Sequence, residues 1–298
     1  MPRISVVMSV FNGAAQLGAT MDGIEAQTMR EFELIVIDDG STDGTGEILR
    51  ERAAVDPRIR VITTANEGLT RALIRGCSEA TAPIIARHDC GDVSAPERFV
   101  RQLEALEDAA VVLVSCGVRY VGPGGEHLYD ARGDGGAIRR SLLHDGVDRI
   151  VGLPHHGSAM FRRAAYESAG GYRAEFRFAQ DVDLWIRLAS RGAIVIVPEI
   201  LYEARFETGA ISAQRRDSQF ALAAISIGLR DGGDAALLDE ARAVSSAPRP
   251  HKPRNEAGAL YFLASCLRRN GDDRYRRYAR AALRRNPLHL RSWLLLMR

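Results

Sequence analysis

Glu33-Leu34-Ile35-Val36-Ile37-Asp38-Asp39-Gly40-Ser41-Thr42-Asp43 is an apolar run that stops abruptly in a polar turn. Its first half, Glu33–Ile37, reads as a buried strand, and Gly44–Ala54 beyond the turn reads as a helix. The same alternation extends on both sides. Ile4–Val10 is a strand followed by a helix from Ala15 to Gln27. Downstream, strands at Arg60–Thr63, Ile84–Arg87 and Val111–Ser115 flank helices at Leu69–Ser78 and Ala95–Glu107. Strands that alternate with helices at this spacing predict an α/β fold, a mostly parallel sheet with helices on both faces. Ligands of such sheets bind beyond the carboxyl ends of the strands, so the polar clusters that end these strands are the candidate site.

The chain has 298 residues, enough for one large α/β domain and a smaller appendage. From Val118 to Ser212 the pattern is less regular, with a turn at Gly122–Gly125, an amphipathic helix at Asp181–Ser190, and strands Ile194–Val197 and Ile200–Ala204 around a Pro198 break. After Ser212 the pattern is all-helical. A linker at Ser245–Arg254 precedes three helices, Ala257–Arg268, Asp273–Arg284 and His289–Met297. The expected division is therefore 1–212 and a helical extension 213–298.

Net charge is only +2, but its distribution is uneven. Residues 248–298 carry thirteen Arg or Lys against three Asp or Glu, which leaves the preceding part at −8. Four cysteines without metal-like or CxxC spacing predict a reducing compartment. The N-terminus shows no signal-peptide layout, and no apolar run approaches the ~20 residues of a membrane span. A cytoplasmic location is expected, with the basic C-terminal end free to contact the inner membrane face.

Four clusters offer chemistry. Asp38–Asp43 ends the second strand, where a carboxylate can accept from a base N–H; an Asp/Gly turn with helix capping by Ser41 or Asp43 explains it equally well. Val10-Phe11-Asn12-Gly13 ends the first strand, where a ring can pack a base or simply precede a turn. Arg87-His88-Asp89-Cys90-Gly91-Asp92 ends the fourth; carboxylates there suit Mg²⁺ or Mn²⁺ bridging a diphosphate, or cap the next helix. Gln180-Asp181-Val182-Asp183 opens a helix, where Asp181 is either a capping acid or a general base.

Taken together, the ordered series ISVVMSVFN (4–12), ELIVIDDGSTDGT (33–45), NEGLTRAL (66–73), ARHDCGDVSAPER (86–98), HHGSAMFRR (155–163), GGY (170–172) and QDVDLWIRL (180–188) resembles family 2 glycosyltransferases of the GT-A fold. The resemblance spans about residues 3–212. It implies inverting transfer from a nucleoside-diphosphate sugar, a UDP-sugar first among them, to a saccharide or lipid-linked hydroxyl acceptor. It implies that Phe11, Asn12 and Asp39 line the base pocket, that Asn66 and Arg71 lie near the nucleotide, and that Asp89 faces the ribose or metal. Asp89 and Asp92 would hold the divalent ion, and Asp181 would take the acceptor proton. His156 and Trp185 would border the acceptor, although a Trp at that spacing also reads as core.

The chain departs from the family pattern at several points. Gly91 stands where an Asp usually ligates the metal, Gln180 where Glu is common, and Glu207 where His is frequent; Cys90 fills a small-residue position. These departures open a second reading, a nucleotide-sugar-binding pseudoenzyme or scaffold. The Arg-rich C-terminal helices suit anionic lipid or a solvated face packed on the acidic body, and no motif supports nucleic acid.

Overall fold

The computed structural model describes residues 1–150, 152–206, 215–248 and 253–297. Four parallel strands come first, built from near-continuous apolar runs: β1 Ile4–Val10, β2 Phe32–Asp38, β3 Ile59–Thr63 and β4 Ile84–Asp89, in the order β3-β2-β1-β4. Between them lie α1 Ala14–Glu25, α2 Thr45–Val55 and α3 Leu69–Ser78. Successive side chains of a strand point to opposite faces. Ile4, Val6, Met8 and Val10 of β1 accordingly enter one core, with Leu17, Met21 and Ile24 of α1, while Val7 enters the other with Leu73 of α3. Burial on both faces explains why β1 and β2 lack polar alternation.

The sheet continues as a mixed one. Next come β5 Val93–Ser94, α4 Arg98–Ala105, β6 Val111–Val121, β7 His127–Ala131, α5 Gly135–His144, β8 Met160–Arg162, α6 Arg163–Ser168, α7 Gln180–Ala189 and β9 Ala193–Arg205. Strand β8 lies antiparallel between β4 and β6, and β9 runs parallel to β6. Strand β5 pairs antiparallel with β9, through Val93–Glu203 and Ser94–Tyr202. Parallel and antiparallel pairings are equal in number among the described residues.

Local chemistry explains where the elements differ from expectation. The two strands predicted around Pro198 are one. The register jumps from Cys116–Val197 to Gly117–Ile200, so Pro198 and Glu199 bulge out and the missing proline N–H costs no ladder bond. The predicted 245–254 linker is shorter. A helix continues through Ser246, another begins at Pro253, where a proline N–H is not needed, and 249–252 lie outside the described residues.

The C-terminal helices are α8 Arg216–Arg230, α9 Ala236–Ser246, α10 Pro253–Arg269, α11 Tyr275–Arg285 and α12 Leu290–Met297. Helices α8 and α9 close over Phe176 and Ala179, beside α7. Helices α10 and α11 form a separate small core with Leu128 of β7. No helix of the described residues is long and apolar enough to cross a membrane.

Candidate active site

The carboxyl ends of β1, β2 and β4 meet at one edge, where three of the four clusters picked from the sequence stand, and the fourth opens α7. Asn12 sits at φ 51°, a left-handed conformation that Asn tolerates. Its Oδ1 accepts the Thr42 N–H at 2.8 Å, and its own N–H donates to Ser41 Oγ at 3.0 Å. The β1 and β2 end loops are thus tied together, and Phe11 is left half-exposed above them.

Asp39 is buried, and its two oxygens accept the Glu67 and Gly68 N–H groups, each at 2.9 Å. It fixes the loop that carries Asn66, which is exposed, and leads into α3 with Arg71. Oδ1 also accepts the Thr64 hydroxyl at 3.4 Å, so the spare lone pair is on Oδ2. Arg71 lines a cleft of about 290 Å³ with Glu67, Thr70, Arg177 and Arg242, so the helical extension contributes to its wall.

The β4 end is the electrostatic centre. Arg87 is fully buried; it donates to Asp89 Oδ1 at 2.8 Å and to the Val7 carbonyl. Its Nε–H points to His156 Nε2 at 3.5 Å, and that nitrogen lies 2.7 Å from the Tyr172 hydroxyl. A guanidinium has donors only, so His156 Nε2 must accept. Burial, reinforced by Arg87, pushes His156 down to about 3 and keeps it neutral. Burial opposes ionisation of Asp89, but the Arg87 guanidinium outweighs it and holds the carboxyl below its ordinary range.

Asp92 differs. Burial first, then the charge of Asp89, push it up to about 8. Its Oδ1 accepts the backbone N–H of Arg205 at 2.9 Å. Tyr202, fully buried, accepts the Asp89 N–H at 3.1 Å, and its ring lies under the Arg98 guanidinium at 4.9 Å. Gly157 permits this closure. A Cβ there would strike the Tyr202 hydroxyl and stand 2.9 Å from Asp89 Oδ2.

One ligand atom each of Asp89, Asp92 and His155 lie within 4.8 Å of one another. His155 Nδ1 is buried with no hydrogen-bond partner, and burial keeps the ring neutral, as a metal ligand must be. Two carboxylates and an imidazole fit a divalent cation such as Mn²⁺. Gly91, where the family pattern has an acid, turns away at φ +101°, and its N–H donates to Thr20 Oγ1 at 2.9 Å. The sequence singles out the neighbouring His156 and not His155. Its signal, a second His in His155-His156-Gly157, cannot be read without knowing which ring faces β4.

Asp181 lies in the first turn of α7, after Ala179 at φ 55°. Burial raises its carboxyl above the ordinary value, and the charge of Asp89 adds to this, so the two acids share one electrostatic environment. Asp183 instead turns away to pair with Arg187 and Arg173. Gln180 is buried. Trp185 is fully buried core, edge-on to Phe161 and His156. Cys90 Sγ lies 4.0 Å from the Gly13 carbonyl. Glu207 lies outside the described residues.

Residues 5–170 match the description "Glycosyl transferase family 2". The EpsE protein of Bacillus subtilis (strain 168), a glycosyltransferase by name, is 35% identical over 216 residues, covering 70% of this chain and 75% of that protein. The O-antigen biosynthesis glycosyltransferase WbnJ of Escherichia coli is 27% identical, with 62% and 71% covered. Among solved structures, the mannosyltransferase PcManGT of Pyrobaculum calidifontis, in complex with GDP-Man and Mn²⁺, superposes with TM-score 0.60 at 20% identity, over 91% of this chain and 75% of that one. S. aureus TarS 1-349 in complex with UDP gives 0.55 at 14% identity, with 94% and 82% covered. An enzyme that transfers glycosyl groups on a GT-A scaffold is the class these findings define. The chain belongs to glycosyl transferase family 2.

Proposed function

We propose that the protein is an inverting glycosyltransferase that moves a sugar from a nucleoside-diphosphate donor to a saccharide or lipid-linked hydroxyl in surface-polysaccharide synthesis. The observation that carries this reading is the Asp89, Asp92 and His155 cluster at the end of β4, with the charge of Asp89 felt by the Asp181 carboxyl. The solved neighbours bound to GDP-Man with Mn²⁺ or to UDP, and WbnJ with its O-antigen role, support it.

In the proposed reaction the acceptor hydroxyl gives its proton to Asp181. Its oxygen bonds to the anomeric carbon while the bond from that carbon to the diphosphate breaks, and the nucleoside diphosphate leaves with its electron pair. A base with a raised value is suited to a hydroxyl near neutral pH. Phe11, Asn12 and Asp39 would frame the base, with Asn66 and Arg71 beside the nucleotide. Asp89, Asp92 and His155 would hold a divalent cation, whose chemistry is to neutralise the charge of a diphosphate leaving group. We assign residues 1–212 to the catalytic unit and 213–298 to an extension whose Arg242 borders the Arg71 cleft. The scaffold reading loses ground, because the relatives named here are glycosyltransferases and the loss of an acid at position 91 leaves a three-ligand cluster.

Calorimetric titration with UDP, GDP and dTDP, each with Mn²⁺ and with EDTA, tests the proposal. Metal-dependent binding of one nucleotide is expected. Absence of binding by all three would overturn the donor reading.

A further inference from the structure

The last helix, α12, presents an apolar stripe that the described part of the protein does not cover. Leu290, Trp293, Leu294 and Met297 stand at i, i+3, i+4 and i+7, one face of a helix, and are 74%, 49%, 55% and 78% exposed. The opposite side is anchored: Ser292 is buried, and Leu295 and Leu296 pack on the small core of α10 and α11. The stripe is therefore held outward by a folded support.

Two cations border this stripe on one side. A cleft of about 230 Å³ beside it is lined by Tyr261, Arg268, Arg291, Leu294 and Leu295, two guanidinium groups at the edge of an aliphatic wall. Arg268 is fixed by a bond to the Leu295 carbonyl at 2.7 Å, and Trp293 has its indole N–H satisfied by the Pro287 carbonyl at 2.9 Å. Arg284 and Arg285 close the preceding helix and are exposed. The 248–298 segment carries +10 while the rest of the chain carries −8. An anionic surface would repel the body and attract this end alone.

We propose that α12 is an interfacial anchor: its Leu290, Trp293, Leu294 and Met297 face enters the headgroup boundary of an anionic phospholipid bilayer, and the Arg268–Arg291 cleft receives a lipid phosphate. Apolar insertion and basic attraction supply the two signals that such reversible binding needs. A second protein copy would be expected to meet the stripe with a matching apolar face, and the +10 charge of this end opposes bringing two such segments together. The inference does not rest on the donor site or on Asp181.

The test uses the intact protein with vesicles of phosphatidylcholine alone or with phosphatidylglycerol. The chain has two tryptophans, and Trp185 is fully buried, so a change in emission reports Trp293. Co-sedimentation and a blue shift are expected with phosphatidylglycerol vesicles only, weakening as salt rises. Leu294→Glu with Met297→Glu should cut partitioning at least about tenfold. Arg268→Gln with Arg291→Gln should cut it on anionic vesicles specifically. Free inorganic phosphate at millimolar concentration should not compete. Equal binding to both vesicle types, unchanged binding by the Glu variant, no emission shift in the unmodified protein, displacement by inorganic phosphate, or a dimer that Leu294→Glu disperses would each overturn the proposal.

Discussion

The backbone N–H of Asp89 donates to the hydroxyl of Tyr202 at 3.1 Å, across 113 positions of sequence. That contact joins the end of β4 to β9 and brings the Arg205 N–H onto Asp92. Tyr202→Phe should therefore leave a buried N–H unsatisfied and cost about 1–3 kcal/mol in urea unfolding. Mn²⁺ affinity, read by calorimetry, should fall as well, because the Tyr202 hydroxyl also hydrogen-bonds the Asp92 carboxyl and the variant removes that bond. An unchanged unfolding midpoint would show that the hydroxyl carries no weight.

Asp181→Asn should lower transfer by about 10²–10⁴ while nucleotide affinity stays near that of the unmodified protein. Retained turnover would remove Asp181 from the base role.

The same residue sets a pH dependence. Because burial raises its folded value above 3.8, turnover should rise with pH through that raised value, and the acid limb should lie above the ordinary carboxylate range. Stability moves the opposite way. A raised carboxyl favours the folded state when protonated, so its contribution is lost as pH climbs from the unfolded to the folded value. Asp181→Asn should flatten both profiles, measured as initial rates and as denaturation midpoints against pH.

Arg87 is a fully buried cation with Asp89, His156 and the Val7 carbonyl as partners. Arg87→Met should destabilise the fold by about 1–3 kcal/mol, since the partly exposed Asp89 carboxylate and the Val7 carbonyl lose their buried donor. The double variant with Asp89→Asn should recover part of that loss. A double variant no more stable than the single one would show that charge compensation is not the cause.

Gly91→Asp restores the acid of the family pattern on a backbone at φ +101°. Left-handed strain of about 1–2 kcal/mol should appear in thermal or urea unfolding. Mn²⁺ affinity should gain little if Asp89, Asp92 and His155 already form the cluster. A large gain with no loss of stability would argue that position 91 is the missing ligand after all.

Where the candidate residues stand in the fold could largely be read in advance. Phe11, Asn12, Asp39, Asp89 and Asp181 stand at strand ends or a helix start, where local pattern marks them. Asn12 and Asp39 also hold loops together, a use that the sequence leaves open because their partners lie 28 to 30 positions away. Arg71 sits on α3 as expected, but its cleft includes Arg242 from a helix that local reading treats as an appendage. Trp185 resolves to core because α7 turns it inward against Phe161.

The sequence by itself determined the α/β alternation, the acids and amides at the carboxyl edge, the helical C-terminal end and its positive charge. All of these follow from composition and from periods of two and 3.6 residues, which are local. Tertiary structure alone decided that β8 runs antiparallel, that Pro198 is a bulge within one strand, that His155 rather than position 91 joins Asp89 and Asp92, and that α12 holds its apolar face outward. Each depends on which distant segments pack together, and side-chain direction at such a contact is set by the pairing register, not by the residues on either side of it.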